Sequence, residues 1–329
     1  MRLLSLSIAI LSAIGPASIS PALASSGDSA YPTLAALETR VATIGFRLTT
    51  ANAGWCAARQ PQFGWLWGDL RLYDATDRAA ARAAYHTGDD DAVFVAAVAP
   101  GSPAAVAGVI TGTPVVTIGD AAAPRGETDA PFARITAVER LFAARLPQSP
   151  VRISDGGKAI DITPVAGCVS DFRVEAIDRP MGVADGRLVL ISKGLAEFAT
   201  NDEDLAAAIA HELAHNVLRH RARLDAAGVD RGLGKQFGRN ARLFKQTEVE
   251  ADRLSVWLLA GAGYDPQAAV RFWTRFGQRK GKPLFQASTH PRWQDRVALF
   301  EAEIRDIDAA RTAGRPLDPP LIAAAPPLE

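Results

Sequence analysis

The chain has 329 residues, with 36 Lys and Arg balanced by 36 Asp and Glu. Zero net charge with the two signs mixed excludes a partner held by a broadly basic surface, so no nucleic acid is expected. Beyond the N-terminal leader no run approaches 18 uncharged apolar residues, which excludes a transmembrane helix from the mature chain. At the start, Arg2 precedes an apolar stretch from Leu3 to Ile14, and Ala22-Leu23-Ala24 opens onto Ser/Gly-rich chain. This pattern predicts a secretory signal peptide over residues 1–24. No cysteine follows the cleavage site, so a lipid anchor is not indicated. A soluble protein exported to a bacterial periplasm is expected.

From Pro32 to Thr50, Leu34, Leu37, Val41, Ile44 and Leu48 recur at steps of three and four, which predicts an amphipathic helix within residues 31–58. After Cys56 the texture changes to short β-like runs: Phe63 to Leu72, Ala92 to Val98, Pro114 to Ile118, Val151 to Ile153 and Ile160 to Thr163. A helical piece, Ile135 to Ala144, interrupts them. The stretch from Val95 to Ile110, with its Ser102-Pro103 turn, resembles the core of a bacterial PDZ domain, here spanning 61–167. It departs from that pattern in having Gly112-Thr113 where Gly-Asp is usual. The resemblance implies capture of peptide ends by strand addition. Phe63, Gly64 and Trp65 are the candidate peptide groove, and their aromatic rings suit a core equally well.

Phe172 to Ile177 and Arg187 to Ser192 read as strands. The second alternates with period two, and Leu188 and Leu190 mark it as the expected edge strand along which a substrate lies. Thr200 with Glu203 makes a capping box, and Asp202 and Asp204 suit the first turn of the helix that follows. In a helix from Asp202 to Arg219, the segment His211-Glu212-Leu213-Ala214-His215 sets two imidazoles one turn apart on one face. That is zinc-binding spacing, with Glu212 placed to hold a water; the alternative is a helix carrying incidental histidines. A further helix from Glu248 to Ala262 puts Glu248 and Asp252 on one face, while Glu250 points elsewhere. Glu248 suits a third zinc ligand and Asp252 the acceptor of a histidine ring N–H; the other reading is an acidic first turn favoured by the helix dipole.

His220, five residues past His215, is expected off the metal face. The stretch from Arg219 to Lys245 carries eight basic residues and four glycines. It reads as a solvated connector, with a lid or a peripheral contact to an anionic surface through 219–245 as the sharper alternative. Helices are expected from Gln267 to Phe276 and from Pro291 to about Ala313, followed by a loose Pro/Ala-rich tail over 314–329.

Taken together, HELAH, the later Glu248-Val249-Glu250-Ala251-Asp252 and Ser288-Thr289-His290-Pro291 resemble the HtpX and CAAX-prenyl-protease group of gluzincin metallopeptidases, peptidase family M48. The lead-in from Asp185 to Leu195 and Asn201 to Ala206 is similar too, and the likeness runs from Val174 to about Phe300. It implies one Zn2+ per chain on His211, His215 and Glu248, Glu212 as general base, Asp252 behind a ligand, and His290 as an auxiliary catalytic histidine. The implied fold is α+β: a mainly helical zincin-like domain over 170–313 with a small edge sheet, carrying the β-rich PDZ-like insertion. The implied activity is zinc-dependent endopeptidase action on misfolded or misassembled envelope proteins, with the PDZ-like unit selecting or gating substrates. A different class stays open, a peptide-binding quality-control or adaptor protein with a latent or structural zinc site, although an intact Glu212 favours the enzyme. Cys56 and Cys168, the only cysteines, are expected to be disulfide-bonded after export and to clamp the flanks of the insertion. Neither lies near the metal motifs, so a catalytic thiol is not expected.

Overall fold

Helix α1 (Ala30–Ala51) buries its stripe of Leu34, Leu37, Val41, Ile44 and Leu48, the face that three- and four-residue spacing places together. The computed structural model describes residues 30–88, 91–126, 128, 130–229, 238–279 and 291–328. The expected signal peptide and His290 lie outside the described residues.

Beyond α1 the chain passes through β1 (Arg59–Gln62), β2 (Trp65–Gly68), α2 (Arg78–Tyr85), β3 (Val93–Val98), α3 (Pro103–Val106), β4 (Pro114–Val115), β5 (Thr117–Ile118), β6 (Ala121–Ala122), α4 (Ala133–Ala143), β7 (Val151–Ser154), β8 (Ala159–Ile162) and β9 (Val165–Cys168). β1 and β9 pair antiparallel, Arg59 opposite Cys168, so the segment leaves and returns side by side. Cys56 is bonded to Cys168 at this neck, with Cα atoms 5.4 Å apart. Within the segment one sheet runs β2-β3-β4 and another β6-β5-β7-β8. Along β7 and β8, Val151, Ile153, Ile160 and Ile162 turn inward, while Arg152 and Asp161 pair across the strands on the outer face. Ser102 caps α3 by accepting the Ala105 N–H, with Pro103 in the first turn.

Strand β3 is buried on both faces. Val93 and Val95 enter the core of the inserted segment beside Val115, Ile135 and Ile153. Phe94 and Ala96 face the other way, into the main core that also holds the α1 stripe. The segment expected as a separate unit therefore shares a strand with its host.

The remainder comprises β10 (Asp171–Glu175), β11 (Gly182–Ala184), β12 (Leu188–Ser192), α5 (Lys193–Phe198), α6 (Asp202–Val217), α7 (His220–Ala226), α8 (Gly238–Gly261), α9 (Gln267–Arg279), α10 (Trp293–Thr312) and α11 (Pro320–Ala323). Helix and sheet segregate along the chain, and the class is α+β. The three-stranded sheet runs β10-β12-β11. This corrects the expected edge strand: Leu188 and Leu190 lie in its central strand, and β11 takes the edge. The cause is a tight Asp185-Gly186 turn, in which the Asp185 carboxylate accepts the N–H groups of Arg187 and Leu188 and folds 182–184 back onto β12.

Three further expectations change. Asn201, a stronger cap than threonine, opens α6 by accepting the Asp204 N–H at 2.8 Å; Thr200 instead donates to the Asp204 carboxylate, and Glu203 accepts from the Asp265 N–H. The basic connector folds into α7 and the opening turns of α8, apart from residues 230–237, which lie outside the described residues. The tail packs: Leu321 is buried in the main core, and the carbonyls of Pro326 and Pro327 accept from Arg223 and Gln246. Among the described residues, no helix is long and apolar enough to cross a membrane.

Candidate active site

α6 and α8 pack against each other, which brings Glu248 over the histidine face of α6. His211 Nε2 and His215 Nε2 are 3.4 Å apart. Glu248 completes a triangle, Oε2 lying 3.4 Å from His211 Nε2 and Oε1 3.6 Å from His215 Nε2. Tetrahedral zinc with bonds of about 2.0–2.1 Å separates neighbouring ligand atoms by about 3.4 Å. The three donors therefore fit that ion in type and in spacing. Among the described residues they form the group of His, Cys, Asp or Glu able to hold a metal together.

Each imidazole is held from behind. His211 Nδ1 lies 2.9 Å from Asp252 Oδ1, as the shared face of Glu248 and Asp252 requires. Asp252 is fully buried and is gripped by Arg296, whose Nε and Nη2 donate at 2.7 and 2.5 Å. Burial alone would raise the Asp252 pKa, but Arg296 and His211 outweigh it and hold the carboxyl below its usual range. The Arg296 guanidinium in turn lies 3.5 Å over the Trp273 ring. Arg296 comes from the distant α10, and nothing in the sequence pattern points to it. His220, expected off the site, is buried against His215, and Glu250 meets His220 from α8.

Glu212 is half-buried beside the triad. Burial lifts its pKa; against the pull of His211, and with the Glu248 charge pushing further up, it settles at about 7. That is the range in which a carboxylate exchanges protons readily at neutral pH. Edge strand β11 passes directly alongside, and Glu212 is what a β-carbon on its Gly182 would meet first. The cleft over these groups measures about 660 Å³, with Met181, Val183, Phe244, Trp273 and Phe276 among its apolar walls.

The candidate peptide groove is far smaller. Phe63 is a core residue, stacked on Trp65 at 4.5 Å and edge-on to Phe142 at 5.0 Å. Gly64 makes a turn with φ 81°, where a β-carbon would strike Ser102. The space beside Phe63, Gly64 and Trp65 is about 40 Å³, room for about three waters and too little for a peptide end. Ser170, Asp171, Phe172 and Arg187 wall it on the host side, and Arg173 of β10 donates to Glu139 of α4.

Residues 179–231 and 235–304 match the model of Peptidase family M48. Over 150 residues the chain is 29% identical to the mitochondrial metalloendopeptidase OMA1 of Schizosaccharomyces pombe, covering 39% of this chain and 44% of that protein. The Arabidopsis thaliana OMA1 is 30% identical over 157 residues, covering 39% of this chain and 31% of the relative. A Vibrio cholerae protein named "Putative beta-barrel assembly-enhancing protease" is 27% identical over 143 residues, covering 34% of this chain and 30% of the relative. The chain thus spans less than half the length of each of these relatives. Together, the three-donor site and these matches support an M48 metallopeptidase.

Proposed function

We propose that this protein is a zinc-dependent endopeptidase of the bacterial cell envelope that cleaves misfolded or misassembled exported proteins. One observation carries the reading: three donors at zinc spacing, the Glu212 carboxylate and an edge strand all meet in one cleft. His211, His215 and Glu248 would hold a zinc ion, which would supply Lewis acidity toward a water and a peptide carbonyl. Glu212 takes a proton from the attacking water and delivers it to the departing amine. β11, the edge strand among the described residues, offers its outer side to an extended substrate, which strand addition would lay across Glu212. His290 is the proposed donor to the developing oxyanion. The leader over residues 1–24 supports a periplasmic location, and the inserted β-rich unit, closed in this conformation, suits a gating role better than a standing peptide groove.

The test compares the mature protein with Glu212→Gln for zinc content and casein cleavage. Both are expected to hold about one zinc per chain, and only the parent to cleave. Equal cleavage by the two proteins would overturn the hydrolase reading.

A further inference from the structure

α6 stops at Val217, and Arg219 takes the left-handed conformation at φ 56°, which turns His220 back toward the helix it follows. His220 is 2% exposed and packs edge to face on His215 at 4.9 Å. Its Nδ1 lies 2.9 Å from His215 Nδ1, and its Nε2 lies 3.2 Å from Glu250 Oε2. Glu250 also accepts from Arg223 Nη1 at 2.5 Å and from Gln246 Nε2 at 3.0 Å. Those two donors are held in turn by the carbonyls of Pro326 and Pro327.

With Glu250 ionised and His220 neutral, a single order of donors and acceptors follows along this chain. An ionised Glu250 can only accept, so His220 Nε2 carries a hydrogen and donates it. The bare Nδ1 of a neutral His220 then accepts, which places the ring hydrogen of His215 on Nδ1. The lone pair of His215 is left on Nε2, the atom 3.6 Å from Glu248 and 3.4 Å from His211 Nε2.

We propose that His220 is a positioning residue that sets the tautomer and ring orientation of His215, as Asp252 does for His211. The relay runs from His215 through His220 to Glu250, and the C-terminal tail braces its far end. The inference rests on the zinc reading of the site.

The experiment measures zinc affinity of the full mature chain by competition with a chromophoric chelator, together with the melting temperature of the zinc-free protein. His220→Ala is expected to weaken zinc binding by about 10- to 100-fold, the usual effect of removing a partner behind a ligand. His220→Asn keeps an acceptor close to the Nδ1 position and is expected to recover most of that loss. A merely structural role would lower the melting temperature of both variants without separating their zinc affinities, and that outcome overturns the proposal. So does zinc affinity in His220→Ala equal to the parent's. If His220→Ala fails to fold, Glu250→Gln carries the test: it keeps the shape, removes the anion, and is expected to weaken zinc by about 10-fold. Unchanged affinity there overturns the relay. A parent protein that binds no zinc would instead overturn the zinc reading itself.

Discussion

Gly182 runs so close to Glu212 that a β-carbon at position 182 would lie 2.5 Å from Glu212 Oε1. The edge strand and the candidate base are thus fitted to each other, and the cleft has no room for a side chain between them. Gly182→Ala is expected to keep zinc and fold while pushing the Glu212 carboxylate aside. Misplacing a catalytic group by about 1 Å can cost on the order of 100-fold in rate. Turnover of Gly182→Ala should fall by at least about 10-fold, and a rate within twofold of the parent would show that Glu212 has other room to work.

Arg296 is the counter-charge of a carboxylate with no access to solvent. Among the described residues, Arg296→Met would leave the Asp252 carboxylate with His211 as its one remaining side-chain partner. Breaking such a buried pair from one side costs about 3–5 kcal/mol. Urea unfolding of the zinc-free protein should report a loss of that order, with a smaller loss for Arg296→Lys. A change below about 1 kcal/mol would mean that water reaches Asp252 in solution.

Glu38 lies buried in α1, and one of its carboxylate oxygens has no hydrogen-bond partner. Burial raises its pKa to about 8, against the opposing pull of a hydrogen bond with Tyr85. The folded state therefore holds this proton more tightly than the unfolded chain, whose pKa is the ordinary 4.5. Its contribution to stability is complete below that ordinary value and is lost as pH rises toward 8. Each pH unit in that window should cost up to about 1.4 kcal/mol. Glu38→Gln should flatten this slope, a difference visible in unfolding curves taken between pH 5 and pH 8.

Cys56 and Cys168 are 112 residues apart in sequence, so their bond removes much freedom from the unfolded chain. Replacing both by serine should cost about 2–4 kcal/mol. Denatured, unreduced protein from the periplasm should show no reactive thiol. Two thiols per chain would refute the clamp.

How much of this the sequence announces depends on how local each feature is. His211 and His215 are four residues apart on one helix, and Glu248 shares a face with Asp252 by the same periodicity, so spacing marks them as candidates. His220 escapes that reasoning because its return depends on one left-handed residue, Arg219, that no periodicity marks. Arg296 escapes it because its bond to Asp252 joins residues 44 apart on two different helices. β11 has only three residues, too few for a period-two signal, which is why the more regular β12 looks like the edge. The tail is read as loose from its Pro/Ala content, yet its anchoring uses two backbone carbonyls, which composition does not register.

The two ends of the inserted segment lie 5.4 Å apart, a gap that one intervening residue can bridge. Connectivity alone would thus allow the insertion to be deleted and the host chain rejoined without strain. β3 forbids it. Excision would strip Phe94 and Ala96 from the main core and leave the α1 stripe facing water along the wall they now cover. The insertion is removable as a path of chain and indispensable as a surface, so host and insertion should melt together, and neither should be obtainable as a free-standing fragment.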